Sequence, residues 1–125
     1  MAEYDYVDPI PVNSKTQLRR GIATEHGNVP RFFFQLEYRL GDEWAEVVRF
    51  DHNEDAEAGH DVTEEGVHMD VYRDGEKIDT VRIAGPMPGS EALDLAEAHL
   101  AEHGKRYTTR FEQWHNLNPN RDSDR

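Results

Sequence analysis

The chain has no cysteine, only three lysines and no long apolar run. Without cysteine there is no disulfide framework, no thiolate nucleophile and no Cys-ligated zinc. No stretch approaches the ~18 apolar residues of a membrane-spanning helix. The opening MAEYDYVDPIPV also lacks the basic and apolar regions of a secretory signal. We therefore expect a soluble, cytoplasmic protein that does not enter a membrane.

Acidic residues dominate the charge. The 125 residues include 26 Asp and Glu against 14 Lys and Arg, a formal net charge of −12, and Arg outnumbers Lys 11 to 3. Such charge with only 36% hydrophobic residues is typical of partial disorder or of a folded protein from a salt-rich cytoplasm. Regular strand and helix patterns argue against disorder, so we expect an acidic halophilic protein. In concentrated salt the net charge neither supports nor excludes a nucleic-acid partner.

Alternating apolar residues predict an antiparallel β-meander of four or five strands. From residue 31 to 40 every second side chain is apolar, with Phe33 as an exception on the polar face. Gly41-Asp42 and Asp74-Gly75 are turn signals that each join two strands into a hairpin. The predicted strands cover residues 31–40, 43–52, 67–72 and 77–83, with a short strand or a helical turn over 15–24 and a turn at 26–30.

One long amphipathic helix is predicted over residues 90–116. Ser90 is a favourable N-cap, and apolar residues recur at steps of three and four up to Trp114, with Gly104 as the place for a bend or an interruption. This helix would cover the apolar face of the sheet, which gives an α+β fold. We expect an N-terminal arm over residues 1–14, a single α+β domain over 15–117 and a disordered tail over 118–125.

The stretch from Val47 to Lys77 holds the candidate chemistry. It reads as two strands joined by an acidic loop at 51–65, and a domain does not need histidines and an arginine at strand ends in order to fold. Two imidazoles can divide general acid and general base duties in phosphodiester cleavage while a guanidinium stabilises charge on phosphorus. The candidate catalytic residues are Arg49, His60 and His68, with Asp51, His52, Asp61 and Asp70 in support.

Other interpretations of this stretch stay open. The same His and Asp side chains could bind a divalent metal, or they could pair across strands as a structural or binding surface. The spacing does not decide between them, and we expect neither a resident metal nor a cofactor. Phe33, with Tyr4 and Tyr6, could stack nucleic-acid bases. Phe33 could equally be an oligomer contact or be covered by the N-terminal arm.

A second motif is HxxEH, at His99 and His103. On a helix the two histidines lie one turn apart and could share a metal, as in the inverted zinc-protease motif. Only 22 residues follow His103, which leaves little room for a third ligand and a substrate-binding domain. We interpret the pair as a solvated helix face, with a weak metal pair as the alternative.

The segment VVRFDH…HD…EEGVHMDVYRDGEK resembles an uncharacterised family of small acidic proteins from halophilic archaea, over roughly residues 30 to 83. A strand ending in R-[FW]-D, followed by a His-bearing loop and a further strand, is also similar to the TumE-like toxins of toxin–antitoxin pairs. Those toxins carry a denser histidine cluster than the spaced histidines here. The residues that match their pattern are Arg49, Asp51, His60 and His68.

Two functional hypotheses follow. The first is a small toxin-like protein of a toxin–antitoxin pair that acts on RNA or the translation machinery, with Arg49 stabilising phosphate and His60 and His68 as acid and base. Its partners would be RNA and a cognate antitoxin. The second is a non-catalytic interaction module, such as a homodimer, that uses the polar sheet face or an edge strand to bind another protein.

Overall fold

The computed structural model describes residues 4–55 and 60–117, which form a six-stranded antiparallel sheet and two helices. Neighbouring strands in the sheet are also consecutive in the chain. The elements are β1 (Tyr6–Pro11), β2 (Thr16–Glu25), β3 (Asn28–Leu40), β4 (Glu43–Asn53), α1 (Val62–Glu65), β5 (Val67–Arg73), β6 (Glu76–Ala84) and α2 (Gly89–Trp114). The predicted α+β fold, an antiparallel meander packed by one long C-terminal helix, is confirmed.

The core lies between α2 and the middle strands. The predicted alternation in β3 is correct, because Phe32, Phe34 and Tyr38 are at most 2% exposed. Burial of each such side chain contributes about 1.5–3 kcal/mol. In β4 one residue is inserted opposite Leu36 and Glu37, and both Val47 and Val48 are buried at this bulge. The apolar side chains of β3 and β4 are therefore buried on this face of the sheet.

Helix α2 packs on β3, β4 and β5. The predicted N-cap at Ser90 is wrong. The helix begins one residue earlier, Pro88 is the capping residue, and no side chain makes the capping hydrogen bond. The helix is not interrupted at Gly104, and an interruption was one of the two possibilities that the sequence left open there.

The first two strands were the least secure part of the prediction. Residues 6–11, which we expected to form an arm, are the edge strand β1, hydrogen-bonded to β2. Pro9 and Pro11 fit there because an edge strand does not need every backbone N–H for pairing. The open alternative at 15–24 is resolved as strand β2, and the turn that follows is confined to His26 and Gly27, both at positive φ. The tail at 118–125 lies outside the described residues.

The predicted loop at 51–65 is shorter than expected. Strand β4 continues to Asn53, and the one-turn helix α1 occupies Val62–Glu65. Residues 56–59 of the loop lie outside the described residues. Gly66 then leads directly into β5 at φ 84°, and a Cβ there would lie 2.6 Å from the Ala84 carbonyl oxygen. Only glycine fits this corner, which fixes the start of β5.

Candidate functional site

Arg49 is at the centre of a hydrogen-bonded row on the polar face of the sheet. The strand register places it directly between Gln35 on β3 and Asp70 on β5. Its Nε donates to both carboxylate oxygens of Asp51, at 2.9 and 2.8 Å, and its Nη1 donates to Gln35 Oε1 at 2.9 Å. The side chains of Arg49 and Asp51 are only 26% and 24% exposed. Nε and Nη1 of the guanidinium are therefore bound to groups within the protein.

This row continues into β2 and β3. Gln35 Nε2 donates to Glu37, and Glu37 also accepts from Gln17 Nε2 at 2.7 Å. Gln35 and Glu37 are each 4% exposed. A buried polar network is stable when its members are paired, as these are. The polar face between β2 and β4 is thus an internal network that holds Arg49 in place.

Phe33 is covered in the way that one of our alternatives described. Tyr4 makes an edge-on contact with its ring at 5.1 Å, and the Arg49 guanidinium lies 4.6 Å from the ring centroid. Gly21 gives the ring its room, because a Cβ there would lie 2.1 Å from Phe33 Cε2. With 7% exposure, Phe33 offers no free face on which a base could stack.

Two pKa shifts describe the electrostatics of this face. Burial acts to lower the pKa of Arg49, but the hydrogen bond and the charge of Asp51 outweigh it, and the pKa is raised. Burial, together with Glu46 and Asp70, raises the pKa of Tyr72. Arg49 therefore stays cationic and Tyr72 stays a neutral phenol at neutral pH.

Next to this network lies a cleft of about 300 Å³ on the same face. Four residues of the predicted site line it: Asp51 from β4, His60 from the segment before α1, and His68 and Asp70 from β5. The full set of lining residues, which we call the cleft, is Asp51, His60, Glu65, Gly66, His68, Asp70, Lys77 and Thr80.

The groups of the cleft differ in how firmly they are held. Asp70 accepts a hydrogen bond from Thr80 Oγ1 at 2.9 Å and lies 3.8 Å from Lys77 Nζ. Among the residues that the structure describes, no side-chain hydrogen bond engages the ring of His60 or of His68. His60 is exposed and His68 is half-buried. Both imidazoles are thus available to a molecule in the cleft, next to fixed carboxylates.

His52 does not belong to the cleft. It is 1% exposed and lies on the core side of β4, with Phe32 at a ring distance of 5.6 Å. Its Nδ1 accepts a hydrogen bond from the Val62 backbone N–H at 3.1 Å, and its Nε2 lies 3.3 Å from Glu54 Oε2. His52 therefore fastens α1 to β4.

Asp61 is an N-cap. Its Oδ1 accepts hydrogen bonds from the backbone N–H of Thr63 at 2.9 Å and from the hydroxyl of the same residue at 2.5 Å. This is the usual way in which an aspartate starts a helix. Arg49, His52 and Asp61 are thus all outside the set that lines the cleft.

The HxxEH histidines lie on the flank of α2. Their rings are 4.6 Å apart, and His99 Nε2 is bonded to the Tyr107 hydroxyl at 2.7 Å. Burial, then the positive charges of His103 and Arg106, lower the pKa of His99. Within residues 4–55 and 60–117, no group of three or more His, Asp or Glu side chains is arranged to hold a metal ion.

Comparison with known proteins yields one match. A family model described as a domain of unknown function (DUF7718) covers residues 1–117. The chain belongs to the DUF7718 family. No curated protein and no solved structure matches it. The family places the whole meander and α2 in one unit, and it assigns this unit no activity.

In the DUF7718 domain, four residues of the cleft were missed from sequence: Glu65, Gly66, Lys77 and Thr80. The Asp74-Gly75 turn did place Lys77 opposite Tyr72. Beyond it, a bulge leaves Ile78 without a partner and pairs Asp70 with Thr80, where unbroken counting would pair it with Asp79. Glu65 and Gly66 reach the cleft because of the position of α1, a one-turn helix that no strong sequence signal predicts.

The described part of the DUF7718 domain contains no helix with both the length and the apolar character needed to cross a membrane.

Proposed function

We propose that the cleft is a histidine-based acid–base site that cleaves RNA, and that this DUF7718 domain is the toxin-like member of a toxin–antitoxin pair. One observation carries the proposal. Of the four residues that match the toxin pattern, Asp51, His60 and His68 line one cleft, and Arg49 is bound to the first of them. The three lining residues come from three separate parts of the chain: β4, the segment before α1, and β5.

In the proposed reaction one imidazole, in its neutral form, takes the proton of an RNA 2′-hydroxyl. The 2′-oxygen then forms a bond to phosphorus while the bond from phosphorus to the 5′-oxygen breaks. The second imidazole, in its protonated form, gives its proton to the departing 5′-oxygen. Asp51 and Asp70 line the same cleft as the two rings. Lys77, the one lysine of the cleft, supplies a cation for the phosphate, because Arg49 Nε and Nη1 already bind Asp51 and Gln35.

The charge of the cleft predicts how the proposed cleavage depends on salt. The cleft contains three carboxylates against one lysine, so a phosphate group is repelled in dilute buffer. The screening length falls from about 10 Å at 0.1 M salt to about 3 Å at 1 M. Most protein–RNA contacts weaken as salt is raised, because counterions are released on binding. Here we expect the opposite: cleavage that increases between low and molar KCl.

The test is cleavage of a labelled single-stranded RNA by the purified protein over a KCl series. His60→Ala and His68→Ala are expected to lose about 10²–10⁴-fold in rate, the usual contribution of a general acid or base. The products should end in 2′,3′-cyclic phosphate. The matched control is His26→Asn, because His26 lies outside the cleft, in the turn between β2 and β3. Its φ is 51°, a conformation that asparagine tolerates.

Equal cleavage by the two cleft variants and the wild type would mean a contaminating nuclease. Intact RNA at every salt concentration, with circular dichroism showing folded protein, would refute the RNA site. Growth of a halophilic host after induction tests the toxin part separately. Arrest is expected with the wild type and the His26→Asn variant, and growth with His68→Ala. Growth with all of them refutes a self-sufficient toxin.

A second candidate function, protein binding, is favoured by a different observation. Edge strand β6 exposes Ile78 and Val81, at 49% and 37%. An edge with exposed apolar side chains can accept a further strand from a partner. The polar face, our other candidate surface, is occupied by its internal network between β2 and β4. Sedimentation of the wild type beside Ile78→Lys tests for a homodimer: loss of a dimer in the variant alone favours this function, and a monomer in both counts against it.

A further inference from the structure

A second cavity lies on the other side of the molecule, between α2 and the turn that joins β1 to β2. Its volume is about 480 Å³. Leucines from three elements line it: Leu18 of β2, Leu36 of β3 and Leu100 of α2. This size and this mainly apolar lining are those of a site for a small molecule. Neither the cleft nor the histidines of the proposed reaction take part in it.

Gly104 keeps this cavity open. Glycine is the poorest helix former after proline, yet it occupies a buried position inside the 26-residue helix α2. Packing does not require it, because a Cβ at this position would meet nothing closer than Leu36 Cδ2 at 4.0 Å, an ordinary contact. By contrast, a Cβ at Gly21 or Gly89 would approach a neighbour to 2.1 Å. The helix thus accepts an unfavourable residue at a place where a side chain would enter the cavity.

The polar lining indicates the class of ligand. The Thr108 hydroxyl already donates to the Gly104 carbonyl, and Asn13 Oδ1 accepts from the backbone N–H groups of Lys15 and Thr16. Among the lining residues only Lys105 is charged, and it is exposed. A single cation beside an apolar cavity is complementary to a ligand with one negative group on an apolar body. The net charge of −12 opposes an anion elsewhere on the chain, so the local cation is what would hold the negative group. We propose that this cavity binds a small amphipathic carboxylate, such as a medium-chain fatty acid.

Titration with octanoate, followed by calorimetry and by backbone NMR, tests the proposal. We expect saturable binding, with NMR shifts at the cavity residues. Gly104→Leu places a side chain in the cavity and should weaken binding at least about tenfold. Lys105→Gln should weaken octanoate binding about fivefold, the upper range for an exposed ion pair. The neutral analogue 1-octanol should bind the wild type and Lys105→Gln equally. Arg106→Gln, adjacent but outside the cavity, is the matched control and should bind octanoate as the wild type does.

Several results would overturn the inference. One is the absence of saturable octanoate binding, and another is unchanged binding by a folded Gly104→Leu variant. A third is an equal effect of Lys105→Gln on octanoate and on 1-octanol, which would leave the cation no role. If Gly104→Leu fails to fold, the Lys105→Gln comparison decides alone. RNA cleavage takes no part in these measurements, so this proposal and the proposed function can fail independently.

Discussion

Replacement of His52 separates a structural histidine from the histidines of the cleft. His52→Ala removes a fully buried ring, and it leaves the Val62 backbone N–H without its acceptor. Because α1 begins at Val62, the loss reaches the segment that carries His60 into the cleft. We therefore expect a large loss of stability, where a purely catalytic histidine would show none.

The magnitude follows from two contributions. Truncation of a large buried side chain to alanine costs about 2–5 kcal/mol, depending on how far the cavity collapses. An orphaned buried N–H costs about 1–3 kcal/mol more. Such contributions do not add fully between neighbours, so we expect about 3–5 kcal/mol in total. A domain of this size has a free energy of unfolding on the order of 5–15 kcal/mol, so the variant would lose a large share of it.

Urea unfolding, followed by circular dichroism and tryptophan fluorescence, measures the effect. In His52→Asn the amide oxygen can take the place of Nδ1, so about half of the loss should be recovered, since the N–H keeps an acceptor. His60→Ala is the control, and its stability should lie within about 0.5 kcal/mol of the wild type because the residue is exposed. If His52→Ala unfolds within about 1 kcal/mol of the wild type, below the range for a buried truncation, the structural assignment is wrong.

Three further predictions use the same unfolding assay. Gly21→Ala should cost about 1–3 kcal/mol through overpacking against Phe33, and a neutral result would contradict that contact. Gly104→Ala should raise the free energy of unfolding by up to about 1 kcal/mol through its better helix propensity, which corresponds to a rise of a few degrees in Tm. A lower free energy of unfolding would show that packing needs this glycine. The lowered pKa of His99 means that the unfolded chain binds its proton more readily. The free energy of unfolding should therefore fall as the pH drops below about 6.5, and it should fall less steeply in His99→Gln. Parallel pH profiles of the wild type and the variant would contradict this.

Much of the fold could be predicted from the sequence because local sequence patterns and tertiary packing favour the same elements. The alternation in β3, the two glycine turns and the apolar spacing of α2 each predicted the observed element. Strand β1 was missed because Pro9 and Pro11 argue against a strand when they are considered alone. Only the sheet makes them acceptable, since β1 lies at its edge and pairs on one side.

The candidate site could be predicted only in part. Arg49 and Asp51 were placed on one face by their alternation, and the structure agrees. The same alternation puts His52 on the side of Val48 and Phe50, which are fully buried, so its core position was available from the sequence. Its proximity in the chain to the other histidines obscured that signal. The contribution of Thr80 was not available, because it depends on a bulge at Ile78.

The ion pair of Arg49 with Asp51 also sets the charge of the cleft. Three carboxylates line the cleft, but Arg49 neutralises one of them and Lys77 lies beside another. One unbalanced negative charge remains while both imidazoles are neutral. Protonation of one imidazole, which acid–base cleavage requires, brings the group to neutrality. In the proposed reaction the competent state thus adds no local repulsion of a phosphate. The repulsion that salt must screen then comes from the rest of the chain, whose net charge is −12. In this view Arg49 acts through Asp51, as a positioning residue that makes an acidic cleft compatible with an anionic substrate.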